Sequence, residues 1–175
     1  MGINSLVIAF AQAMGTTEKY GFVIHSGSLI TSVLLGVVWI VAAFRGSLNP
    51  SYRDVPSWRY LLLPFALLAF WAPYNSEILP CFSPLLLITS PDYGLTFCFT
   101  TPVFLLLLIL FYPKVDAFAY RITAFNGLLY GLFNVAHLFN PQFRWMGVLH
   151  IPLIVIPLCA LILPKASKRE ARPAV

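Results

Sequence analysis

The sequence contains few charged residues: Asp, Glu, Lys and Arg make up 10% of its 175 residues, whereas 59% are hydrophobic. The mean hydropathy is +0.84. Soluble globular domains are about 25% charged and roughly 45–50% apolar. A soluble domain of this length could not bury so much apolar surface, so the composition predicts an all-α integral membrane protein. Helices suit this setting because they satisfy their own backbone hydrogen bonds in lipid.

Other features are also missing, and each absence narrows the class of function. The three cysteines include no Cys-x-x-Cys pair, which argues against a thiol-oxidising enzyme. No phosphate-binding glycine loop occurs, so ATP hydrolysis is not expected. The sequence contains no internal repeat, which argues against a transporter built from two inverted halves. The net charge of +5 is not gathered on one soluble face, so nucleic acid is not an expected partner.

Long apolar runs are abundant, and five of them are predicted to cross the membrane, which takes about 20 apolar residues each. Residues 1–16 lack the basic start of a signal peptide and are predicted to form a short helix in the membrane interface. The proline-broken stretch 78–91 is too short to cross and is predicted to be re-entrant or to lie on the surface. The predicted spans are 21–44, 57–74, 96–112, 118–139 and 145–163, followed by a basic cytoplasmic tail at 164–175.

The distribution of basic residues predicts the orientation. With five spans and the N-terminus outside, only Lys19 and Arg144 of the eleven Lys and Arg residues lie outside, as the positive-inside rule requires. Arg53 and Arg59 are expected at the inner surface, where Asp54 could pair with either of them at little gain in stability. The predicted location is therefore a plasma or cytoplasmic membrane. The expected partners are the lipid bilayer and either other membrane proteins or further copies of the chain.

Polar residues recur on the fourth predicted span at intervals of three or four residues, so they share one face of a helix. Amides and an imidazole are costly in lipid, and this face is therefore predicted to contact protein or a wet cavity. The members of this polar seam are Thr123, Asn126, Tyr130, Asn134 and His137.

The first predicted span has a matching face of small and polar residues. Small residues let helices approach closely, so this face is predicted to pack against the polar seam and to bring His25 near His137. The fifth span follows after a short loop and is expected beside the fourth. The members of the matching face are His25, Ser28, Ser32, Gly36 and Trp39.

Three histidines, His25, His137 and His150, are predicted near the outer ends of their spans, where they could form a three-histidine cluster that ligates a metal. Imidazoles with a carboxylate suit zinc, copper or iron, and single histidines can also ligate a haem-type ring. The alternative is that each ring only hydrogen-bonds a neighbouring helix. Both readings stay open, because no two histidines share one helix at ligand spacing. The predicted ligand contacts are His25, Asn126, Tyr130, Asn134 and His150.

The outer loop between the second and third spans carries two carboxylates and a cysteine. If the protein is an enzyme, His137 and Glu77 are the acid–base candidates, since a desolvated carboxyl can titrate near an imidazole. Asp92 lies in a Pro-Asp-x-Gly sequence and is interpreted as a turn residue. Cys81 and Cys98 both fall on the outer side, where they are predicted either to form a disulfide or to remain unpaired.

These patterns support three functional hypotheses. The first is a polar, histidine-containing outward pocket between the first, fourth and fifth spans. It would bind a metal, a cofactor or a small lipophilic molecule, in a membrane-embedded enzyme or a subunit of a larger complex. The second is a transporter or channel component, in which the polar seam lines a route through an oligomer. The third is a structural or assembly subunit, in which the seam only joins helices.

Overall fold

The computed structural model describes residues 1–11, 13–46, 55–71, 79–89 and 96–170. The protein is mostly helical, at 74%. A 3₁₀ segment, Ser57–Leu62, leads into α3, and a 3₁₀ turn, Ala136–Phe139, follows α6. The helices are α1 Gly2–Ala11, α2 Ser26–Phe44, α3 Leu63–Trp71, α4 Leu86–Thr89, α5 Phe97–Phe111, α6 Ala117–Val135, α7 Arg144–Leu149 and α8 Pro152–Glu170.

Within the described residues, three helical stretches are long and apolar enough to cross a membrane: Ser26–Phe44, Ala117–Phe139 and Arg144–Leu163. They correspond to the predicted first, fourth and fifth spans. The predicted second and third spans contain shorter apolar helices, Ser57–Trp71 and Phe97–Phe111. The structure therefore establishes three helices of membrane-crossing length, together with two that are shorter.

A β-hairpin precedes α2, which the sequence analysis did not predict. Its strands, β1 Met14–Thr17 and β2 Gly21–Ile24, pair antiparallel, with Met14 opposite Ile24. The first helix thus ends at Ala11 rather than near residue 16, and α2 begins at residue 26 rather than 21. The physical reason is local: both strands are rich in β-branched residues, and Gly21 adopts the positive φ of 66° that the tight turn requires.

Helix α1 packs lengthwise and antiparallel against α2. A Cβ added to Gly36 would lie 2.7 Å from Leu6, and a Cβ added to Gly2 would lie 2.9 Å from Ile40. At the other end of the pair, the His25 N–H donates to the Ala13 carbonyl at 2.8 Å. The structure therefore places α1 along the side of α2. The position in the membrane interface that is expected for residues 1–16 stays a prediction.

Helix α8 lies at the centre of the bundle and contacts α3, α5 and α6. The Tyr120 hydroxyl of α6 is fully buried and donates to the Ala160 carbonyl of α8 at 2.7 Å. Gly131 brings the backbones of α6 and α8 together, since a Cβ there would lie 2.7 Å from the Leu153 carbonyl oxygen. Buried residues of the surrounding core include Leu62, Leu105, Ile109, Ala124, Ile156 and Leu163.

The C-terminal part of the bundle departs from the predicted boundaries. The predicted fifth span is divided into α7 and α8 by a turn at residues 150–151. Pro152 begins α8 and has no N–H to continue the hydrogen bonding of α7. Helix α8 extends to Glu170, so the predicted tail begins inside a helix. The described part of the proline-broken stretch, residues 79–89, contains the helix α4, whose four residues are too few to cross a membrane.

The helix bundle has two ends, and different residues lie at each. At one end, the Arg59 guanidinium at the start of α3 contacts the end of α5, and Arg45 at the end of α2 lines a cleft with Asp116 at the start of α6. At the other end lie the hairpin, the end of α6 and the start of α7. Phe82 also lies there, with its ring edge-on to Trp71 at 6.0 Å and to Trp145 at 6.1 Å.

Candidate functional site

Helices α2 and α6 contact each other through polar side chains, as the sequence predicts. The Trp39 indole N–H donates to the Thr123 hydroxyl at 3.0 Å, and that hydroxyl donates to the Ala119 carbonyl at 2.6 Å. Nearer the hairpin, the hydroxyls of Thr31 and Tyr130 lie 3.0 Å apart. Two tethers therefore connect these helices, and one of them uses Thr31, which the sequence analysis did not single out.

Three further polar residues of the two predicted faces, Asn126, Asn134 and Ser32, do not line the groove described below. Asn126 is buried between helices. The Asn134 amide donates to the Tyr130 carbonyl of its own helix at 2.8 Å. Ser32 is also buried, and its hydroxyl has no hydrogen-bond partner in the described part of the chain. The ligand-binding roles predicted for Asn126 and Asn134 stay predictions.

A groove of about 670 Å³ lies between the first turns of α2 and the last turns of α6. Its volume falls within the roughly 300–1,000 Å³ typical of small-molecule sites. Its apolar lining residues are Ile24 before α2 and Leu129 and Phe133 of α6. Its polar lining residues are His25, Ser26, Ser28 and Thr31 at the start of α2 and Tyr130 of α6.

The hydrogen bonds in this groove leave several polar groups available to a ligand. The Thr31 hydroxyl lies 2.8 Å from the Gly27 carbonyl and 3.0 Å from the Tyr130 hydroxyl. When Thr31 donates to Gly27, Tyr130 donates to Thr31 and retains its own acceptor lone pairs. The side chains of His25, Ser26 and Ser28 have no hydrogen-bond partner in the part of the chain that the structure describes. The His25 ring does not cap α2 either.

A second feature at the same end is a pair of histidines, whose ring centroids lie 6.5 Å apart. The pair forms because Gly147 allows α7 to contact the 3₁₀ turn: a Cβ there would lie 2.6 Å from the Leu138 amide nitrogen. His150 is buried, and its Nδ1 lies 2.7 Å from the Met146 carbonyl. In the neutral ring this Nδ1 carries the proton, which leaves Nε2 as an acceptor. His137 is half-buried.

The predicted three-histidine cluster is not assembled, because the structure brings together only His137 and His150. Among the described residues, no group of three or more His, Cys, Asp and Glu side chains is placed to hold a metal ion. His25 lines the groove instead, since the hairpin replaces the first turn of the helix predicted there. Glu77 and Asp92 lie outside the described residues, so the acid–base role predicted for Glu77 with His137 stays a prediction.

Cys81 and Cys98 both have free thiols, so the predicted disulfide is absent from this structure. The alternative considered for them, two unpaired cysteines, corresponds to the observed state. Cys98 lies in the first turn of α5, and Cys81 precedes Phe82 in the segment that packs against Trp71 and Trp145.

No protein-family model matches this chain, and no curated protein or solved structure is significantly similar to it.

Proposed function

We propose that this chain is a five-span membrane protein with its hairpin outside, and that the groove between α2 and α6 binds a small lipophilic molecule with a hydrogen-bonding head group. The observation that carries the proposal is the mixed lining of the groove: available hydroxyls and an imidazole lie beside apolar side chains around a volume of ligand size.

The distribution of charge supports the five-span topology. Arg45, Arg59, Lys114 and Arg121 belong to the end of the bundle where α2 and α5 finish and α3 and α6 begin. Lys19 and Arg144 belong to the other end. The basic end is the cytoplasmic one by the positive-inside rule. Helices α3 and α5 contact each other and α8, so they accompany the longer helices through the bilayer.

Labelling of single cysteines tests the orientation of this topology. In a background with Cys81→Ser, Cys98→Ala and Cys159→Ala, a membrane-impermeant maleimide added to intact cells is expected to label Lys19→Cys. Lys114→Cys should react only after the membrane is permeabilised, because the positive-inside rule places it in the cytoplasm. Labelling of both sites in intact cells, or of Lys114→Cys alone, would refute the proposed orientation.

The exposure of the apolar residues that line the groove indicates how a ligand would enter. Phe133 is 69% exposed and Ile24 is 49% exposed, so both present apolar surface to the surroundings of the bundle. In a membrane those surroundings are lipid tails, from which a lipophilic molecule can partition sideways. Its head group would then meet the Ser26 and Ser28 hydroxyls, the His25 ring and the Tyr130 oxygen. A hydroxyl or carbonyl head suits these donors and acceptors.

Photolabelling tests the binding proposal. A diazirine analogue of dodecanol, added to the protein in phosphatidylcholine nanodiscs, is expected to label peptides that line the groove, and dodecanol should compete. Phe133→Trp enlarges a wall residue and should weaken labelling about tenfold, which corresponds to 1.4 kcal/mol. Tyr130→Phe removes a polar contact and should weaken competition by dodecanol about fivefold, but not competition by dodecane.

Phe125→Trp is the matched control for this experiment. Phe125 also lies on α6 and is 61% exposed, but it does not line the groove. Its substitution should leave labelling unchanged. Equal labelling of the two tryptophan variants and the parent protein would show that the probe only partitions into lipid around the bundle, and the proposed function would then be wrong.

A further inference from the structure

A second cleft, of about 180 Å³, lies at the opposite end of the same two helices. It runs between the end of α2 and the start of α6. Val37 and Val41 of α2 and Phe118 of α6 supply an apolar surface, and they are 49%, 41% and 61% exposed. Arg45 and Asp116 are the charged residues that line it. The cleft thus combines one positive and one negative group with an apolar surface facing outward from the bundle.

Each of the two charged groups retains capacity for a ligand. Asp116 is the N-cap of α6, and both capping hydrogen bonds, from the Phe118 and Ala119 amides at 3.0 and 2.8 Å, end on Oδ1. Its second carboxylate oxygen, Oδ2, is outside the cap. The exposed guanidinium of Arg45, which follows the last turn of α2, has no ion-pair or hydrogen-bond partner among the described side chains.

We propose that this cleft binds one phosphatidylethanolamine molecule. Its phosphate would pair with the Arg45 guanidinium, its primary ammonium would donate to Asp116 Oδ2, and an acyl chain would lie along Val37, Val41 and Phe118. Charge complementarity selects this lipid. A choline head group has no N–H to donate to Asp116, and the glycerol head group of phosphatidylglycerol offers no positive charge to it.

The proposal rests only in part on the function proposed above. If the basic end is cytoplasmic, the lipid belongs to the inner leaflet. The pairing of head group and side chains depends only on the cleft and on a surrounding bilayer. It does not involve the groove near the hairpin, so Phe133→Trp should leave lipid binding at this cleft unchanged. The labelling test of the groove and the lipid test below can therefore fail independently.

Native mass spectrometry of the detergent-solubilised protein tests the inference. The protein is titrated with phosphatidylethanolamine, phosphatidylcholine and phosphatidylglycerol that have identical acyl chains. The parent is expected to bind the ethanolamine lipid about fivefold more tightly than the choline lipid, the scale of one exposed charge pair. Asp116→Asn should abolish this preference, and Arg45→Gln should weaken binding of all three lipids.

The Asp116→Asn variant separates lipid binding from folding, because asparagine caps helices as well as aspartate does. Its melting temperature should therefore match that of the parent. Glu18→Gln and Arg144→Gln change one charge each at the opposite end of the bundle, and both should leave the lipid preference intact. Equal affinity for the ethanolamine and choline lipids, a preference for phosphatidylglycerol, or a preference that survives Asp116→Asn would overturn the proposal.

Discussion

Replacing Arg59 with Met is expected to lower the free energy of unfolding by about 3 kcal/mol. Arg59 is 7% exposed, and the two protons of its Nη1 are shared among the carbonyls of Ile109, Leu110 and Tyr112, which lie at 2.8, 3.2 and 2.6 Å. The last carbonyls of a helix have no partner within the helix, and they form the negative end of its dipole. Methionine keeps much of the side-chain volume but removes the guanidinium donor. The Ile109 carbonyl keeps the Tyr112 N–H at 3.3 Å, whereas the Leu110 and Tyr112 carbonyls lose their donor.

Equilibrium unfolding in mixed detergent micelles, followed by circular dichroism, measures this loss. Arg121→Met is the matched control, because Arg121 is an exposed arginine of α6 and its replacement should change stability by no more than about 0.5 kcal/mol. Arg59→Lys should recover part of the loss, since an ammonium carries three N–H donors. Equal effects of Arg59→Met and Arg121→Met would show that the three hydrogen bonds contribute nothing to stability.

Arg59 also shows a limit of sequence interpretation. Its position in a basic loop predicted a solvated residue near Asp54, which lies outside the described residues. The structure instead buries the guanidinium against the end of α5, fifty residues further along the chain. The charge count that predicts orientation was sufficient to assign Arg59 to the basic end. It contains no information on which carbonyls the side chain reaches, because that depends on how α3 packs against α5.

The helices of the bundle were predicted best where long apolar runs and a 3.6-residue period coincide. The predicted spans at 21–44 and 118–139 correspond to α2 and α6, and the predicted packing between them is confirmed by the Trp39–Thr123 contact. The prediction was wrong at the start of α2. Hydropathy does not distinguish a short apolar strand from a helix, so Phe22-Val23-Ile24 was assigned to the span although β-branched residues follow a glycine there.

The candidate groove was predicted in part. The sequence indicates His25 and Tyr130, because polar groups within apolar sequence need a partner, and both line the groove. It does not indicate Leu129 and Phe133, because an apolar residue on an apolar helix gives no local signal of a ligand site. The predicted three-histidine cluster required a tertiary arrangement that spacing cannot specify. His150 approaches His137 through the close contact at Gly147, whereas the hairpin places His25 at the groove.

One available signal was overlooked in the sequence. Gly127 and Gly131 are four residues apart on α6 and form the Gly-x-x-x-Gly pattern that lets membrane helices approach closely. Both face α8: a Cβ at Gly127 would lie 3.0 Å from the Pro157 side chain, and one at Gly131 would lie 2.7 Å from the Leu153 carbonyl oxygen. The pattern predicts a close helix contact on this face of α6, and the short connection to the next long helix, α8, indicates the partner.

Gly131→Ala is expected to lower the free energy of unfolding by about 2 kcal/mol, although alanine favours a helix by about 1 kcal/mol over glycine. The added methyl would lie 2.7 Å from the Leu153 carbonyl oxygen and 2.9 Å from its carbon. Both are backbone atoms, which cannot rotate away as a side chain can. Helices α6 and α8 must therefore separate, and the contacts around Tyr120 and Ala160 loosen with them.

Gly27→Ala is the matched control, because Gly27 is also helical and a Cβ there meets nothing within 4 Å. The same mutation should be neutral or should stabilise the protein by up to about 1 kcal/mol. Thermal unfolding in detergent compares the two variants directly. Opposite signs would show that the distance between α6 and α8, rather than helix propensity, limits stability. If Gly131→Ala were as stable as Gly27→Ala, the close approach of α6 and α8 would be refuted, and with it the contact that fixes α8 at the centre of the bundle.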